Sequence, residues 1–183
     1  YNEMKGAFSS PESVLDRVVL NTLYPETSYA NESGGDPEVI PELTYEQFLA
    51  FHSKYYHPSN SYIYLYGDMD MEEKLTWLDE NYLSNFDRIE VESEIAYQEP
   101  FAKMEEKVIP YSISSEESEE DQTYLSYNKS IATSLDRELY LAFQILDYAL
   151  LSAPGAPLKK ALTDAGIGDD ILGSYDNGIY QPI

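Results

Sequence analysis

The stretch TYEQFLAFHSKYYHPSNSYIYLYGD, residues 44–68, changes periodicity near its middle, and that change sets the expected fold. Thr44 and Gln47 have the spacing of a capping box, in which each side chain satisfies the other residue's backbone N–H. Phe48, Phe51 and Tyr55 then share one face of a helix, which is expected to stop at His57-Pro58 because proline disfavours helical backbone before it. After the Ser59-Asn60 turn, Tyr62-Ile63-Tyr64-Leu65-Tyr66 is dense in β-branched and aromatic residues and is closed by Gly67-Asp68. That pattern predicts a strand.

Working outward, Ser10-Pro11-Glu12 reads as a helix start, with serine as N-cap and proline at the first helical position. Val14, Leu15, Val18, Val19 and Leu23 continue at helical spacing up to Tyr24-Pro25. Residues 29–43 carry two glycines and two prolines and read as a loop, with Ser33-Gly34-Gly35-Asp36 a structural turn. Met71 to Phe86 is again helical, with Leu75, Leu78, Tyr82 and Leu83 as its apolar side. Lys107–Ile113 and Thr123–Asn128 alternate as strands around the acidic loop SSEESEEDQ. A long helix follows from about Ser134, then a shorter one over Leu158–Ala165 closed by Gly166, with strand residues resuming near Ile171. The expected class is α+β, helices packed on a mainly antiparallel sheet. Residues 1–86 read as one domain portion, 87–101 as an acidic connector and 102–183 as the front of a second domain. Both ends read as cut from a longer polypeptide.

Composition removes several functions. With 34 Asp and Glu against 11 Lys and Arg, the formal net charge is −23. Such a surface lacks the clustered cations that neutralise nucleic-acid phosphates or anionic membranes. No cysteine is present, so thiolate metal sites and disulfides are excluded. No apolar run reaches the 18 or so residues of a membrane-spanning helix. The only histidines, His52 and His57, diverge by roughly 140° on a helix, so they read as packing and helix-terminus residues and not as one metal's ligands. Ser33-Gly34-Gly35 lacks the lysine of a phosphate loop, and no serine-nucleophile elbow occurs.

Three runs carry a resemblance: NEMKGAFSSPES (2–13), SGGDPEVIPELTYEQFLAFHSKYYHPSNSYIYLYGD (33–68) and PLKKALTDAGIG (157–168). Together they resemble the presequence-protease branch of the pitrilysin/insulinase metallopeptidases over nearly the whole chain. The resemblance implies pitrilysin-like half-domains and a zinc endopeptidase that degrades short, unstructured peptides, basic ones among them, inside a closing chamber. It implies that an H-x-x-E-H helix, absent here, supplies two histidine ligands and the general base. The glutamate of N-E-M-K-G, Glu3, then corresponds to the third zinc ligand, with Asn2 and Lys5 flanking it as orienting residues. On this reading the chain contains no catalytic residue, holds one of three zinc ligands, and depends on the remainder of the same polypeptide. The alternative is a non-catalytic homologue acting as a scaffold or peptide-binding module.

Overall fold

The computed structural model describes residues 1–168 and 170–183. Its chain divides into two compact units: Gly35–Glu94 with Tyr1, and Asn2–Gly34 with Ile95–Ile183. Six α-helices are present among the described residues: α1 (Asn2–Ala7), α2 (Pro11–Leu23), α3 (Tyr45–Tyr55), α4 (Met71–Asn81), α5 (Arg137–Asp147) and α6 (Pro157–Asp164). Short 3-10 turns punctuate the first half, and a π-turn, Tyr148–Ser152, extends α5.

The described residues contain no strand, so the α+β expectation, with its mainly antiparallel sheet, is overturned: the fold is all-α. The physical reason lies in what defines a strand. Aromatic and β-branched composition favours an extended chain, but a strand exists only through a ladder to a neighbouring backbone. At residues 62–66 the rings of Tyr64 and Tyr66 stack 6.4 Å apart, the same-side spacing of an extended chain. Yet Tyr62 is fully exposed and Tyr64 and Tyr66 are each 84% exposed. Residues 107–113 and 123–128 likewise lie outside any ladder, with Val108 and Leu125 open to solvent.

In the first unit, local signals act as read. The Thr44 N–H donates to Gln47 Oε1 at 2.8 Å and the Gln47 N–H to Thr44 Oγ1 at 3.2 Å, closing the capping box that starts α3. His57 caps the turn after α3 by accepting from the Ser59 N–H at 3.1 Å. Helix α4 starts on Asp70, which accepts from the Glu73 N–H at 3.0 Å. It ends at Asn81, short of the expected Phe86. There the Asn81 side chain donates to the Trp77 carbonyl at 2.8 Å, and Leu83–Asn85 continue only as a 3-10 turn. Gly35 opens this unit with φ +87°, and a Cβ there would lie 3.0 Å from Ile40 Cγ1. Gly35→Ala is therefore expected to cost about 1–2 kcal/mol, read as a lowered urea midpoint. An unchanged midpoint would mean the turn relaxes freely.

The second unit is organised around Tyr24, the C-cap of α2 and fully buried. Its hydroxyl donates to the Gln181 carbonyl and lies 3.2 Å from Ser130 Oγ. Beside it, buried Gln98 and Gln181 pair reciprocally: the Gln98 N–H donates to Gln181 Oε1 at 2.6 Å and Gln181 Nε2 to the Gln98 carbonyl at 3.1 Å. Gln98 Oε1 also accepts from the Glu26 N–H at 3.0 Å. Two backbone bonds, Ile131 N–H to the Pro182 carbonyl at 2.7 Å and Ser134 N–H to the Tyr180 carbonyl at 2.8 Å, fix the last segment. A buried amide is stabilising only when its partners are present. Gln181→Leu strands the Gln98 N–H and is expected to destabilise by about 1–3 kcal/mol, seen as faster amide exchange over residues 95–99.

Burial holds the Tyr24 phenol above its ordinary value, with the Asp176 charge adding to the rise and the Ser130 contact opposing it. Because the unfolded phenol ionises near pH 10 while the folded one keeps its proton, this stability is complete below about pH 10 and is lost as pH rises further.

Helix α6 closes in a Schellman motif: Gly166, φ +68°, donates to the Thr163 carbonyl at 3.0 Å and Ile167 to the Leu162 carbonyl at 3.1 Å. Glycine is favoured there because L-residues avoid positive φ.

Candidate functional site

The residue singled out from the sequence, Glu3, lies in the first turn of α1 and is exposed. An acid at that position is favoured by the partial positive charge of the helix N-terminus. Asn2 and Lys5 lie on the same short helix, both exposed. Three residues apart, they share a face of α1, with Glu3 about 100° round the axis from Asn2. The helix ends at Ala7, where the Ser9 N–H and hydroxyl both donate to the Gly6 carbonyl, at 3.1 and 2.7 Å. Just beyond, Phe8 lies 4.6 Å beneath the Arg17 guanidinium of α2, a cation–π contact that ties the end of α1 to the next helix.

Ser33-Gly34-Gly35-Asp36 reads from the sequence as a structural turn. The structure sets Gly34 directly against α1: a Cβ on Gly34 would run into the Met4 thioether. Met4 is the neighbour of Glu3, so the bare glycine allows the loop to seat the helix that carries the carboxylate. Glycine beside a bulky side chain distant in sequence is a signal only once the pairing is known. Gly34→Val should displace Met4, and heteronuclear NMR of the Met4 methyl would register the shift.

A catalytic zinc takes three protein ligands and leaves one position open. Among the described residues, no group of three or more His, Cys, Asp or Glu side chains gathers to hold a metal ion. The described residues alone thus do not gather that ligand set. Glu3 offers one carboxylate. His57 is engaged as a cap and faces Phe86 edge-on at 5.2 Å, while His52 stacks on Tyr56 at 4.7 Å. Neither histidine falls in a group of three or more such donors among the described residues. No helix among the described residues is long and apolar enough to cross a membrane.

Similarity to known proteins is extensive. Residues 42–180 match the family described as "Peptidase M16 inactive domain". The protein HypA of Clostridium perfringens is 51% identical over 181 residues, covering 99% of this chain and 19% of that protein. Presequence protease 1, chloroplastic/mitochondrial, of Arabidopsis thaliana is 37% identical over 186 residues, covering 100% of this chain and 17% of that protein. The mitochondrial presequence protease of Xenopus laevis is 36% identical over 179 residues, covering 97% and 17% respectively. The chain thus spans less than a fifth of the length of the curated relatives it matches. With most of its length inside one family's pattern, and presequence proteases aligned along nearly all of it, the chain belongs to the M16 peptidases of the pitrilysin/insulinase type.

Proposed function

We propose that this chain forms part of a zinc-dependent endopeptidase that degrades short, unstructured peptides inside a closing chamber. The observation that carries the reading is the match to presequence proteases along 97–100% of the chain. In this proposal Glu3 is one ligand of a single zinc ion, and the other two ligands and the general base come from outside these 183 residues. Asn2 and Lys5 are assigned to orienting the α1 carboxylate. Residues 1–86 are assigned to a metal-bearing domain and 102–183 to a metal-free one, joined through 87–101. The acidic balance, −23 over the chain, suits a chamber that concentrates basic peptides.

The test is hydrolysis of a short unstructured peptide by the full-length protein that carries this chain. Expected is turnover abolished by a zinc chelator and restored by added zinc, with a folded protein of similar composition left intact. Turnover untouched by the chelator contradicts the zinc reading. Absence of any turnover favours the second reading, a non-catalytic scaffold or peptide-binding module, for which the family description "inactive domain" over residues 42–180 speaks.

A further inference from the structure

We propose that Asn177 is a site of spontaneous covalent modification: its side-chain amide closes on the Gly178 nitrogen, with the Asp176 carboxylate as proton acceptor, and reopens as aspartate or isoaspartate. The isoaspartate form then loosens the second unit. The inference is independent of the metal and peptidase readings. Of the asparagines in the chain, Asn177 alone is followed by glycine, the residue whose missing Cβ leaves its backbone nitrogen least shielded.

Three structural observations add to that dipeptide. Asn177 and Gly178 lie outside any helix, and Asn177 is part-exposed, so no helical hydrogen bond holds the Gly178 N–H away from the side chain. The Asn177 amide makes no hydrogen bond among the described residues, which leaves its carbonyl carbon free to be approached. The Gly178 N–H donates to Asp176 Oδ1 at 3.1 Å. A proton acceptor thus sits on the atom that must attack.

The step balances within these residues and water. The Gly178 nitrogen bonds to Asn177 Cγ, its proton passes by way of the Asp176 carboxylate to the departing amide nitrogen, and ammonia leaves behind a cyclic imide. Water then adds to one imide carbonyl and breaks its bond to the Gly178 nitrogen. Opening at the side-chain carbonyl gives aspartate. Opening at the main-chain carbonyl gives isoaspartate, whose backbone runs through Cγ and is one carbon longer.

That carbon falls between two anchored points. On one side, the Tyr175 ring packs against Tyr140 and Phe143 of α5, at 6.3 and 5.6 Å. On the other, the Tyr180 N–H donates to the Tyr29 hydroxyl at 3.0 Å and its carbonyl accepts from the Ser134 N–H at 2.8 Å. Gln181, a partner of both Tyr24 and Gln98, follows directly. Close-packed groups transmit such a change in length instead of absorbing it.

The experiment ages the full-length protein in mildly alkaline buffer and maps its peptides by electron-transfer mass spectrometry, which tells isoaspartate from aspartate. Expected is conversion at Asn177 well ahead of Asn21 and Asn81, which lie on α2 and α4. Gly178→Ala should slow it at least about tenfold by shielding the nitrogen. Beyond its chain neighbours, the added Cβ meets only Asp176 Oδ1, at 3.5 Å, so this variant is expected to fold. Asp176→Ala should slow conversion severalfold. An Asn177 that stays intact in the folded protein while converting in the urea-unfolded chain overturns the proposal, as does wild-type ageing of folded Asp176→Ala. In the isolated isoaspartate form, amide exchange should quicken over residues 130–134 and 180–181. Unchanged exchange there overturns the loosening.

Discussion

Tyr24→Ala is expected to unfold the second unit under conditions where the first stays folded. The side chain is fully buried, and deleting a large buried aromatic costs about 3–5 kcal/mol, the sum of lost transfer energy and the cavity left behind. A small domain's whole stability is about 5–15 kcal/mol, so this one change consumes much of it. Tyr24→Phe separates the two contributions. It keeps the ring and removes only the hydroxyl that donates to the Gln181 carbonyl and neighbours Ser130, for an expected loss of about 1–3 kcal/mol. Fluorescence of the single tryptophan is the wrong probe, because Trp77 lies on α4 in the other unit. Amide exchange at residues 24–31, 130–134 and 180–183 is the informative one. Protection there that survives Tyr24→Ala would show that the network is peripheral to this unit's stability.

The same network marks where the sequence stops being readable. The capping box at Thr44 and Gln47, the Ser10-Pro11 start of α2 and the Gly166 close of α6 are legible because each is settled within a few residues. Tyr24, by contrast, meets partners 106 and 157 positions away. Nothing in Leu23-Tyr24-Pro25 distinguishes that tyrosine from the 17 others in the chain. The mistaken strands fail for a related reason. Tyr62–Tyr66 has the composition of a strand, but composition is local and pairing is not. Of the candidate metal site, the sequence names Glu3 and its exposed helix follows from the structure. The companion donors are legible in neither, because no three-residue donor group exists among the described residues.

Glu3→Gln in the full-length protein is the second large effect. Glutamine keeps the length and shape of the side chain and removes its charge, and Glu3 is exposed on a short helix, so folding is expected to change little. Loss of a partner that merely orients a metal ligand typically costs 10–100-fold in metal affinity or activity. Under the proposed assignment of Glu3 as one of three zinc ligands, its loss is expected to lower peptide hydrolysis by at least ~100-fold. Asn2→Ala and Lys5→Ala, if they orient the carboxylate, should fall within that smaller range.

The measurement that reaches the central claim most directly is zinc bound per polypeptide, determined by elemental analysis of purified full-length wild-type and Glu3→Gln proteins with matching circular dichroism. The expected result is close to one zinc ion in the wild type and far less than one in the variant after identical dialysis. A Glu3→Gln protein that retains the wild-type zinc content would contradict the assignment of this carboxylate to the metal.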